Sequence, residues 1–143
     1  MTENMPQATR SFSWKAALLG GSAAIASSMF VGGVRANLAL STCTGEGKSI
    51  DACFGSLQTN VQMAITLAVA AACSLLGGAA AGSLVGHKAA LHGLAAGVVS
   101  AAFIAVMHLS PMSFPVPAWF GSAMLVIPVV FSPLGAQLFR KNA

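Results

Sequence analysis

A chain of 143 residues that is 56% hydrophobic and 7% charged cannot build the wet surface of a soluble domain, which carries about 25% charged residues. The mean hydropathy of +0.79 says the same, and the net charge of +4 does not point to nucleic acid. The basic residues flank apolar runs and form no patch interleaved with aromatics, so lipid must cover most of the molecule.

In chain order, residues 1–13 are polar. Glu3 and the scarcity of Arg argue against an organellar transit peptide. A spanning helix needs about 20 mostly apolar residues, and four stretches qualify: 16–34, 61–86, 89–110 and 118–139, none containing Asp, Glu, Lys or Arg. The expected fold is a single all-α integral membrane domain over residues 1–143, a bundle of four transmembrane helices. Arg10 and Lys15 before the first run resemble the start of a signal peptide, and Leu40-Ser41-Thr42-Cys43 faintly resembles a lipoprotein processing site. The run is longer than a signal core and Thr before the Cys is atypical, so the segment reads as an anchor.

Lys and Arg gather on cytoplasmic flanks. With the N-terminus inside, Arg10, Lys15, Lys88, Arg140 and Lys141 face the cytoplasm and only Arg35 and Lys48 lie outside. Both termini are then cytoplasmic, and residues 35–60 form an external loop. The charge bias and the cysteine placement fit a bacterial inner membrane, with the mitochondrial inner membrane as the alternative.

That loop holds Cys43 and Cys53. Two cysteines in one short loop facing an oxidising compartment predict a disulfide, with two free thiols as the alternative. No His or third Cys lies near enough in sequence for a metal site. Cys73 stands alone in the second span and reads as a small buried residue. Gly45-Glu46-Gly47-Lys48-Ser49 ends like a phosphate-binding loop, but that motif needs a glycine five residues before the Gly-Lys pair, and position 42 is Thr.

Small residues recur every four positions in the first three spans. They are Ala16, Gly20, Ala24, Ser28 and Gly32 in the first, and Ala70, Ser74, Gly78, Gly82 and Gly86 in the second. The third has Ala89, Gly93, Gly97, Ala101 and Ala105. Residues four apart share a helix face, and in lipid such bald stripes let backbones approach closely. Tight contact is therefore expected among spans one to three. His87 and Lys88 leave almost no connection between the second and third spans, which predicts a hairpin.

The fourth span is bulkier. Pro128 and Pro133 should bend it, and Phe120, Met124 and Phe131 are candidates for a partner-facing surface. Trp14 and Trp119 are expected at the two interfaces. Residues 111–117 (PMSFPVP) read as a short extended external connection.

Ionisable groups inside a membrane are default functional pointers, and here they are His92 and His108. Sixteen residues apart on one helix, they lie roughly 160° apart around it and cannot share a site. A bis-histidine haem lacks a second His at the same depth. A His–Met haem, with Met63, Met107, Met112 or Met124 as sulfur ligand, or a singly ligated chlorophyll-type pigment, are the cofactor readings left, and no cofactor is the main expectation. Catalysis finds no support, because Glu3, Glu46 and Asp51 lie outside the spans and no nucleophile–base set converges by spacing.

The main functional expectation is a non-catalytic accessory or assembly subunit, with membrane lipid and other integral subunits as partners and no soluble substrate. A small oligomeric channel or permease is the second reading. Its pore would need a polar stripe, yet Ser22, Ser27, Ser28, Thr66, Ser74, Ser83 and Ser100 are scattered. A His-ligated haem or pigment carrier for electron transfer is the third.

Overall fold

The computed structural model describes residues 12–85, 88–109 and 116–139. These form five helices: α1 (Trp14–Gly45), α2 (Ile50–Leu57), α3 (Asn60–Leu84), α4 (Ala89–Leu109) and α5 (Ala118–Leu138). All but α2 are long and apolar enough to cross a membrane, which makes this an integral membrane protein, as the apolar runs predict. Gly86, His87, Met112, Arg10, Arg140 and Lys141 lie outside the described residues, as does most of the proline-rich connection.

Three of the helices begin at hydroxyl caps. The side chains of Ser13, Ser49 and Thr59 accept from the N–H groups of Ala16, Ala52 and Gln62, each at 3.4 Å, satisfying donors that have no partner within the helix. Helix α1 corrects the first expected boundary. It does not stop at residue 34 but runs through Arg35 to Gly45. Residues 36–44 contain neither Gly nor Pro, and Thr42 and Thr44 return their hydroxyls to the carbonyls of Leu38 and Leu40. A charge can mark the edge of hydrocarbon without ending a helix. Termination comes at Gly47, whose φ of +77° suits glycine.

The expected external loop at 35–60 is therefore mostly helix: the end of α1, a turn, α2 and the start of α3. Asp51 sits in the first turn of α2, where a carboxylate favours the positive end of the helix dipole. The expected disulfide is present. Cys43 near the end of α1 is bonded to Cys53 in α2, with Cα atoms 5.8 Å apart.

Helices α1 and α5 occupy opposite sides of the bundle, and each packs against both α3 and α4. The buried residues of α1 lie between Ala16 and Ala24, and those of α4 between Ala89 and Ser100. The bundle is tight toward the Lys15 end and splayed toward the disulfide end.

In the tight half, glycines stand where a side chain has no room. A Cβ on Gly20 would lie 2.6 Å from the Gly77 carbonyl oxygen of α3, and one on Gly21 would lie 2.9 Å from Val99 of α4. A Cβ on Gly77 would meet Ala24 of α1, while one on Gly78 would overlap the Ser132 carbonyl of α5. Successive helical residues point about 100° apart, so each Gly-Gly doublet lets one helix approach two neighbours.

Gly82 and Gly93 face Ala136 and Ser132 of α5, and Gly97 faces Pro128. The tight contact expected among spans one to three thus extends to the fourth. The bulky fourth span is itself cradled, because its own Ser132, Gly135 and Ala136 are small and all three are buried. Gly32 departs from its stripe, since a Cβ there meets nothing within 4 Å. By that point α1 has separated from its neighbours.

Candidate functional site

His92 lies in the first turns of α4 and is fully buried. Its Nε2 accepts the backbone N–H of Ser13 at 2.9 Å, and its Nδ1 stands 3.0 Å from the Lys88 carbonyl oxygen. A carbonyl can only accept, so Nδ1 carries the proton and the tautomer follows from the two partners. Phe12 stacks on the ring at 4.5 Å between centroids, and Trp14 meets Phe12 edge-on. The imidazole thus fastens the capped start of α1 to α4. A metal-centred cofactor at His92 would have to displace one of these hydrogen bonds.

His108 sits at the other end of α4, exposed, with Nδ1 3.0 Å from the Ile104 carbonyl oxygen and its ring beside Gly121 of α5. The two histidines therefore occupy opposite ends of one helix, as their spacing implies. Met63 is buried in α3, Met107 is exposed on α4 and Met124 lines an internal crevice. Phe120 is buried in the bundle and Phe131 is half-buried. Met124 is half-buried as well, so of the expected partner face on α5 only Phe120 is turned into the bundle.

The hydroxyls of the core hold helices together. Ser132 Oγ donates to the Ser74 carbonyl at 3.1 Å, joining α5 to α3. Ser100 Oγ lies 3.3 Å from the Gly21 carbonyl, joining α4 to α1, and 3.1 Å from the Ala96 carbonyl of its own helix. Ser74 Oγ returns to the Ala70 carbonyl at 2.7 Å. These groups spend their donors on backbone, which is how buried hydroxyls are satisfied in an apolar medium.

Where the helices splay, two cavities adjoin. One of about 100 Å³ lies between all four long helices and is lined by Ser28, Ser74, Ser100, Phe103, Met124 and Pro128, among others. The other, about 200 Å³, lies between α1 and α3 below α2 and is lined by Ser28, Val31, Arg35, Leu57, Thr66 and Val69 among others. Ser28 borders both, with Arg35 and Thr66 in the crevice of the second.

Arg35 stands at its outer end. One Nη donates to Thr66 Oγ1 at 2.7 Å, and the other to the Gln62 carbonyl oxygen at 3.0 Å and to Gln62 Oε1. The acids among the described residues are Glu46 and Asp51. Glu46 is paired with Lys48 at 2.7 Å, and neither acid forms an ion pair with Arg35. The Lys48 ammonium, first by its hydrogen bond and then by its charge, holds the exposed Glu46 carboxyl below the usual carboxylate range.

Several of these residues escape sequence reasoning. Arg35 reads as a loop charge because the helix that carries it outruns the membrane estimate. Gly21, Gly77 and Gly135 fall outside the period-four stripes. The doublets Gly20-Gly21 and Gly77-Gly78 were the available signal. Nothing local links His92 to Ser13, 79 residues away. No family model, curated protein or solved structure matches the chain.

Proposed function

We propose that this chain is a non-catalytic accessory or assembly subunit of a larger membrane-protein complex, binding other integral subunits rather than converting a substrate. The observation that supports this most is the cap beyond the bundle. Helix α1 is 32 residues long, about 48 Å at 1.5 Å per residue, against a hydrocarbon layer of about 30 Å. Leu38 on the overhang and Ile50 in α2 are 63% and 61% exposed, and Phe54 of α2 is exposed as well. Apolar side chains exposed beyond the hydrocarbon suit burial by another protein. The disulfide fixes their arrangement in advance, which lowers the ordering cost of association.

The orientation that fits this role puts both termini in the cytoplasm and the cap outside, in a bacterial inner membrane. The balance of Arg10, Lys15, Lys88, Arg140 and Lys141 against Arg35 and Lys48 favours it. The glycine contacts of the tight half act as the internal brace of the subunit.

Native mass spectrometry of the protein released from its own membrane in mild detergent tests the proposal. Co-release with other polypeptides at fixed stoichiometry, lost in an Ile50→Asp variant, is the expected result. A lone chain or a homo-oligomer overturns it. Reporter fusions at each terminus check the orientation, and activity of an exported reporter at either end reverses it.

A further inference from the structure

We propose that the crevice headed by Arg35 is a binding site for an anionic phospholipid, with the phosphodiester on the guanidinium and one acyl chain lying between α1 and α3. Three observations converge on that ligand. The first is charge. A guanidinium has five N–H donors, and three hydrogen bonds to Thr66 and Gln62 are all to neutral acceptors. No carboxylate among the described residues balances it. Thr66 and Gln62 orient the group and leave it with donors and a full positive charge to offer.

The second is depth. Lys15 and Arg35 lie 20 positions apart on α1, about 30 Å along the axis, which matches the hydrocarbon thickness. Gly78 faces Ser132 and Gly135 faces Leu75, offsets of 54 and 60 that bring Trp119 level with residues 59–65 of α3, the turns that hold Gln62. An indole at the depth of Arg35 fits the headgroup boundary, where aromatic residues of membrane proteins gather.

The third is shape. The Arg35 crevice is lined by Val31, Val69 and Ser28, Ser28 also borders the cavity beneath it that holds Phe103, and Met29 and Phe103 of that second cavity are exposed. An acyl chain therefore enters sideways from the bilayer while its phosphate stays at the boundary. A free anion would use Arg35 but leave the crevice empty.

The test uses the full chain reconstituted in vesicles of equimolar phosphatidylglycerol and phosphatidylcholine, with retained lipids identified by native mass spectrometry. The protein is expected to keep phosphatidylglycerol in preference to phosphatidylcholine by roughly five- to tenfold, as one basic group at an anionic surface provides. Arg35→Gln brings that ratio to one, while Arg35→Lys retains part of it. Ser28→Phe, which fills the junction of the two cavities, reduces retention of both lipids, and it carries the test if Arg35→Gln fails to fold. Equal retention by the unaltered protein overturns the proposal, as does undiminished retention by Ser28→Phe. Displacement of the lipid by excess inorganic phosphate also overturns it and assigns Arg35 to a soluble anion. These outcomes do not depend on whether the chain is a subunit of a complex.

Discussion

Gly78 and Gly32 occupy the same kind of position on paper, small residues on period-four stripes, yet they behave oppositely. A methyl group at Gly78 overlaps the Ser132 carbonyl, whereas one at Gly32 meets open space. Gly78→Ala is expected to destabilise the fold by about 1–3 kcal/mol, the usual cost of overpacking, and Gly32→Ala to leave it unchanged. Comparing thermal unfolding of the two variants in detergent checks this. At His92, removing the ring leaves the Ser13 N–H without its acceptor, while the Lys88 carbonyl keeps the backbone N–H groups of Leu91 and His92. His92→Ala should therefore cost about 1–3 kcal/mol for an unsatisfied buried group and speed amide exchange in the first turn of α1. Glu46 illustrates a weak contact. Its carboxyl is held below the ordinary range by Lys48, so the pair favours the folded state above the ordinary carboxylate pKa and loses that effect as pH falls through the lowered one. Lys48→Gln should return the Glu46 titration, followed by NMR, to the ordinary range. The thermal midpoint should not move, because exposed pairs contribute little.

At the scale of elements, the four apolar runs were legible in the sequence because length and hydropathy alone decide whether a helix can cross lipid. The ends were less so. Arg35 marked where hydrocarbon stops, but the helix obeys backbone preferences, and nothing between Ala36 and Thr44 opposes it. α2 hid in a segment rich in Gly and polar residues, although Ser49 and Asp51 carried a start signal. The disulfide was readable because the short spacing and the expected compartment both favoured it. It closes a separation of 10 residues, which the chain-entropy account values at roughly 2–3 kcal/mol. Replacing both cysteines with Ser should free α2 to be cut by protease at 46–59 while α3, α4 and α5 stay protected, as gel analysis of the digest would show.

For the whole molecule, hydropathy gave the number of spans but not which faces meet. The period-four stripes named Gly78, Gly82, Gly93 and Gly97, and all four abut α5, the helix whose aromatics and prolines made it look least able to pack closely. Its small face, Ser132 with Gly135 and Ala136, is short and interrupted by Pro133, so no stripe announces it. The Arg35 crevice was equally hidden, since it exists only where α1 and α3 diverge. The contacts that fasten α1 to α4 also impose an order on biogenesis. Ser13 with His92 and Gly21 with Ser100 are each separated by 79 residues. At translation rates of roughly 5–20 residues per second, α1 waits about 4–16 seconds in the bilayer before its clasp is synthesised. A ribosome stalled before α4 would therefore leave the first helix with its Gly21 side bare, a nascent state that an insertase or a competing helix can capture and the finished protein cannot offer.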